Sequence, residues 1–169
     1  MSPSSPKTVN ANSTSLATGQ AKGGGVVACS TATEGVDNLI ATTTDNSDGI
    51  EWSNIDNTEI GVPAQSTTNG ASNTTAIITQ TGATTGAAFI CSNLTTGGFT
   101  DWFLPARNQL NCLNTNKALI GNFSTTAFYW SSTERDKNEA DYQSFEDDTQ
   151  GFTDKASENR VRCVRNFTP

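Results

Sequence analysis

Leu94-Thr95-Thr96-Gly97-Gly98-Phe99-Thr100-Asp101-Trp102-Phe103-Leu104-Pro105 is the stretch whose reading decides the fold. Two adjacent glycines stop a helix arriving from upstream, because glycine accepts the left-handed backbone that ends one. Pro105 fits the first turn of a new helix, where its missing N–H costs nothing. Upstream, Ala87, Cys91 and Leu94 fall at i, i+4 and i+7 and predict one buried helical face. Before Gly82, Asn73 is placed to cap a turn over Thr75-Ala76-Ile77-Ile78, so the two pieces form a broken amphipathic helix. Downstream, Leu110 and Leu113 make an i, i+3 pair, with Lys117 near the C-terminal end where a cation is favoured.

Strands are expected on either side of these helices. Val26-Val27-Ala28-Cys29 reads as a short apolar strand with Asn38-Leu39-Ile40-Ala41-Thr42 as its partner, across a turn at Glu34-Gly35. Ile50-Glu51-Trp52 alternates like a strand. Phe128–Ser132, Ala140–Phe145, a piece near Phe152 and Val161–Phe167 follow, joined by acid-rich loops. In the last, Val161, Cys163 and Arg165 would share one face, and Arg162, Val164 and Asn166 the other. The order is two strands, two helices, then an antiparallel sheet. That predicts an α+β domain whose terminal strands can pair.

The 169 residues suffice for one domain with a core. Residues 1–22 are Ser, Pro, Asn and Thr with little to bury, and read as a flexible linker or vector remnant; residues 23–169 are the folded head. No apolar run reaches the roughly 18 residues that span a bilayer. An export signal is expected outside this sequence.

Charge and chemistry narrow the function. The net charge is −7: residues 1–100 carry two cations against seven anions, residues 101–169 eight against ten. That balance excludes the broad basic face of a nonspecific nucleic-acid binder. With no histidine, Ser–His and Cys–His nucleophile pairs and histidine-ligated metals are excluded. Cys29, Cys91, Cys112 and Cys163 have no C-x-x-C spacing. Four of them in a polar, Thr-rich chain read as two disulfides in an oxidising compartment, the alternative being four buried thiols.

The opening stretch, Asn108-Gln109-Leu110, Phe128-Tyr129-Trp130-Ser131-Ser132-Thr133-Glu134 and Arg160-Val161-Arg162-Cys163-Val164-Arg165 together resemble the C-terminal domain family of the Legionella collagen-like adhesin. The resemblance runs from about Gly23 to Phe167. It implies a C-type-lectin-like fold, two helices against an antiparallel sheet with long loops, whose chain ends meet in one sheet. It also implies a bridge from the first helix to the last strand, mapped onto Cys91–Cys163, leaving Cys29–Cys112 as the second pair. Cys29–Cys163 is the rival pairing, since first and last strands can be neighbours. The Glu-Pro-Asn, Gln-Pro-Asp and Trp-Asn-Asp signatures of calcium-dependent sugar binding are missing, so a lectin mechanism does not follow from a lectin fold. Trp102 and Trp130 are expected in the core, and Trp52 is open.

The resemblance implies a secreted or cell-surface bacterial adhesin head, without enzymatic activity, whose partner is sulfated polysaccharide of a host cell surface. The glycan-binding candidates are Arg107, Lys117, Arg135, Lys137, Lys155 and Arg160, because a planar guanidinium matches a sulfate with two parallel hydrogen bonds. The competing reading is that each cation balances a neighbouring acid. Collagen-tailed relatives are trimers through their triple helix. This chain has no G-X-Y repeat, so a homotrimer would have to form through the head. No cofactor is required. Glu146, Asp147 and Asp148 are the metal candidates, for a divalent cation (Ca²⁺ or Mg²⁺) held weakly if a trimer gathers three acidic loops. The alternative function is a protein-binding display module on the same scaffold. An oxidase like the sulfatase-activating enzymes would need reactive cysteines that this spacing does not supply.

Overall fold

In the computed structural model, which describes residues 16–30 and 36–168, four strands are followed by four α-helices and then by five strands. They are β1 (Ala21–Lys22), β2 (Gly25–Cys29), β3 (Leu39–Ala41), β4 (Ser47–Ile50), α1 (Gly70–Thr79), α2 (Ala87–Ser92), α3 (Arg107–Thr115) and α4 (Lys117–Ile120). Then come β5 (Phe128–Glu134), β6 (Glu139–Ser144), β7 (Gln150–Asp154), β8 (Asn159–Val161) and β9 (Val164–Asn166). The class is α+β, as the residue pattern predicts. The single antiparallel sheet is not found. There is a four-stranded antiparallel sheet, β1-β2-β3-β9, and a five-stranded one, β4-β8-β5-β6-β7, in which β5 and β8 run parallel.

The predicted strand over residues 161–167 is two strands in different sheets. Val161 pairs with Ser47 in one, Val164 with Ala41 in the other. Arg162 and Cys163 carry the chain across, and both are fully buried. The chain ends do meet in one sheet, with β9 against β3 and β3 against β2. The expected Glu34-Gly35 turn lies outside the described residues. The folded part begins before Gly23, contrary to expectation. The Gly19 amide donates to the Val27 carbonyl at 2.8 Å, and β1 pairs with β2.

The helices also start elsewhere than expected. Asn69, not Asn73, caps α1, its side chain accepting from the Ser72 amide. Asn73 is buried one turn later and donates to the Ser66 carbonyl at 2.7 Å and the Ser132 hydroxyl at 3.2 Å. Pro105 sits just ahead of α3, and Gln109 accepts from the Ala106 and Gly70 amides. Gly70 is required there: a Cβ would lie 2.5 Å from the Leu104 carbonyl. The glycines of the opening stretch have a similar function. Gly97 has φ of 69°, and its Cβ would fall 2.4 Å from the Gly24 Cα, so two glycine runs pack backbone to backbone.

Two apolar clusters fill the interior. Trp52, Trp102 and Trp130 join Ile77, Leu104 and Val161 in one. Leu39, Leu110, Leu113, Tyr129 and Phe145 form the other. All three indoles are buried, and each donates to a backbone carbonyl: Trp52 to Ser131, Trp130 to Ile50, Trp102 to Thr96. An indole leaves one N–H to satisfy, and a backbone carbonyl accepts it. Trp52 is therefore a core residue. Cys29–Cys112 and Cys91–Cys163 are the two bridges, and the rival Cys29–Cys163 pairing is excluded.

Candidate functional site: surface cations and a cleft at the chain ends

The six expected glycan-binding cations do not form one patch. Lys155 lies between β7 and β8 with its side chain fully buried, 2.7 Å from a Glu134 carboxylate oxygen. It also donates to the Lys137 carbonyl and sits 5.0 Å from the Trp52 ring centroid. It cannot offer charge to an external polymer. Arg160 is held by Asp45 at 2.9 Å and by Asp48, and Lys117 by Asp148 and Asn114.

Arg107 and Arg135 both lie near Asp141 on β6, and Lys137 sits in the turn between β5 and β6. Arg107 starts α3 and reaches Asp141 at 3.1 Å and Gln150 at 3.0 Å. Burial pushes the Asp141 carboxyl above its ordinary range, opposed by the nearby Arg107 and, less strongly, by Arg135. Both guanidinium groups therefore act on the same carboxyl. Arg135 lies over the Phe152 ring at 3.6 Å and pairs loosely with Glu139 at 3.7 Å. Lys137 is exposed and has no ion pair among the described residues. The exposed Arg135–Glu139 pair contributes about 1 kcal/mol or less, so a polyanion can compete for Arg135.

Arg162 is wholly buried, unlike its neighbour Arg160. It donates to Asp45 and to the carbonyls of Thr42, Gly121 and Asn122, with its plane 3.9 Å from the Phe123 ring. The Tyr129 hydroxyl donates to the same Asp45 at 2.8 Å. Burial, then this hydrogen bond to a carboxylate, push the phenol well above its ordinary value. The folded state thus holds the phenol proton more tightly than the unfolded chain, and stability falls once pH rises past about 10. Tyr129→Phe is expected to flatten that alkaline fall. Thermal unfolding followed from pH 8 to 11 checks it, and an unchanged slope would refute it.

Glu146, Asp147 and Asp148 do not converge. Hydrogen bonds from Ser144 and Thr149 hold the Asp147 carboxyl low, and Lys117 with Asn114 does the same for Asp148. Among the described residues no three acids or cysteines gather where they could hold a metal ion.

A cleft of about 500 Å³ opens where the chain ends meet. Lys22, Gly23, Phe99, Asp101, Arg165 and Phe167 line it. Arg165 grips Asp101 with two bonds, 2.6 and 2.8 Å, and lies 3.8 Å over Phe99. The hydrogen bond from Arg165 pulls the Asp101 carboxyl below its ordinary value. The sequence reading overlooked this group. Asp101 beside Trp102 in the opening stretch, and Arg165 beside the last cysteine, were its only signals, and nothing in the sequence joins them.

The Lcl C-terminal domain family model matches residues 41–165. No curated protein matches the chain. Among solved structures, a fimbrial protein from Bacteroides ovatus has a similar fold, with a TM-score of 0.57 and 13% identity over 76% of this chain. The match spans 35% of that protein's own chain, and at this identity the likeness concerns fold alone. With the matched segment running from β3 to β9 and holding α1–α4 and the Cys91–Cys163 bridge, the chain belongs to the Lcl C-terminal domain family.

Proposed function

We propose that this chain is a non-catalytic adhesin head, secreted or displayed on a bacterial surface, that binds sulfated polysaccharide through Arg107, Arg135 and Lys137. Family membership supports an adhesin-like extracellular domain, and two disulfides suit an oxidising compartment. The carrying observation is the hairpin around Phe152. There Arg135 is laid flat on a half-exposed ring and Lys137 is unpaired among the described residues, with Arg107 across Asp141. A flexible polyanion can meet all three at once. Lys117 and Arg160 would add to the field at longer range. A C-type-lectin-like arrangement is part of the same reading, supported by chain ends in one sheet and by the bridge from α2 to the β8–β9 crossing.

Binding to heparin is expected to weaken steeply as salt rises, because exposed charges are screened within about 10 Å at 0.1 M. Arg135→Gln with Lys137→Gln should weaken it on the order of tenfold, from two contacts of up to about 1 kcal/mol each. Affinity unchanged by the double substitution, or by salt, would remove the proposal. A homotrimer would repeat the hairpin three times and multiply weak contacts. Light scattering giving a monomer mass at micromolar concentration overturns that part. A divalent cation would bind only if such a trimer brought the 146–148 loops together, and calorimetry with millimolar Ca²⁺ giving no heat removes it. A protein-binding display module is the competing reading, favoured by the loop over residues 57–69 that leaves Val62 at 83% exposure.

A further inference from the structure

We propose that the cleft between Lys22, Phe99 and Phe167 is a second binding subsite, for a pyranose ring carrying one negative charge. The proposal rests on the polysaccharide reading but uses none of its three cations. The charge count sets the ligand's charge. Lys22 and Arg165 contribute two positive charges and Asp101 one negative, leaving one for a ligand to neutralise.

The donors remaining are also defined. Asp101 takes Nε and Nη2 of Arg165, and Nη1 has no acceptor among the described residues. Gly23 has φ of 54°, and a Cβ there would lie 2.8 Å from Nη1. A side chain at position 23 would therefore close the approach to Nη1. Lys22 has no ion pair among the described residues, and its ammonium lies 4.6 Å from the Phe167 ring centroid. Asp101 holds the guanidinium in place before any ligand arrives, which lowers the ordering cost of binding.

Shape agrees with this chemistry. About 500 Å³ lies within the range of small-molecule sites, which pair apolar walls with a few fixed polar groups. Phe99 and Phe167 are the walls, and the exposed amide of Asn166 can donate to and accept from sugar hydroxyls. A carboxylate or a sulfate ester would meet Lys22 and Nη1 alike. A neutral sugar would leave the cationic pair unanswered.

The test is an amide NMR titration of the intact chain with glucuronate, galactose 6-sulfate and glucose, at low salt and millimolar ligand. Shifts at Lys22, Phe99 and Phe167 are expected with one or both anionic sugars and not with glucose. The stronger of the two identifies the anion. Lys22→Gln should weaken this binding about tenfold, the loss of one charge-assisted bond. It lies on the two-residue edge strand β1, so the fold does not depend on it. Equal shifts with glucose, or Lys22→Gln binding like the wild type, overturn the proposal. The polymer reading is separable. Heparin binding should survive Lys22→Gln, and the Arg135→Gln, Lys137→Gln chain should keep its response to the anionic monosaccharide. Shifts confined to Arg135 and Lys137 would sink the cleft and leave the polymer site standing.

Discussion

Lys155→Met is expected to lower the unfolding free energy by about 3–5 kcal/mol, the cost of removing one partner from a buried ion pair. Glu134 and Lys155 have no exposed side-chain surface. The same carboxylate accepts the amides of Ile60 and Gly61, at 3.0 and 2.7 Å, so it also ties down the long polar loop before α1. Without the ammonium, a charged carboxylate stays buried with only two amides to answer it. Exchanging both residues for apolar ones (Glu134→Leu with Lys155→Met) relieves the unpaired charge. It leaves the Ile60 and Gly61 amides without an acceptor, at about 1–3 kcal/mol each. The pair therefore should not behave like ion pairs that apolar residues replace at no cost. Urea unfolding of the three chains checks this. A loss below about 1 kcal/mol for Lys155→Met would show that the pair is solvated in solution.

Removing the Cys91–Cys163 bridge by paired alanine substitution is expected to cost about 4 kcal/mol, from the entropy released to a loop of 72 residues. Chain entropy alone gives Cys29–Cys112, which closes 83 residues, nearly the same value. Their surroundings differ. Both Cys91 and Cys163 are fully buried among the tryptophans, and the alanines would leave space there that the core cannot refill. Cys112 is partly exposed. Mild thiol reductant should accordingly open Cys29–Cys112 first, since exchange needs access to a sulfur. Differential alkylation with peptide mapping reads the order. Cys91–Cys163 opening first would contradict this account of the core.

Much of the fold was legible because it rests on short-range signals. Apolar spacing in α2 and α3 and the apolar runs of β2 and β3 act within a few residues, although α2 ends at Ser92, short of the expected stop at Gly97-Gly98, and leaves Leu94 outside the helix. The disulfide pairing came through the family resemblance, and spacing alone would have left the rival open. Trp52 was ambiguous for a physical reason. An indole beside acidic turn residues can face either way, and only the carbonyl of Ser131, brought from β5, decides that it is buried. The crossing at Arg162 was illegible. Residues 161–167 alternate well enough for one strand, and what breaks them is competition between two sheets.

The candidate cations show the same limit more sharply. By sequence, Lys155 differs little from Lys137: both sit in acid-rich loops late in the chain. One is sealed against Glu134 and Trp52, and the other is free of ion pairs among the described residues. A side chain's charge is fixed by its chemistry, but its availability depends on which distant carboxylate the fold brings within about 4 Å. Composition and local pattern therefore determined the α+β class and the lack of histidine chemistry, and the motif resemblance pointed to the family. Tertiary structure alone decided that Lys155 is sealed against Glu134 while Lys137 stays exposed, and that Lys22, Asp101 and Arg165 share a cleft. Those groupings join residues up to 143 positions apart, the separation of Lys22 and Arg165 in the chain (165 less 22), and no periodicity within one element encodes a contact that long.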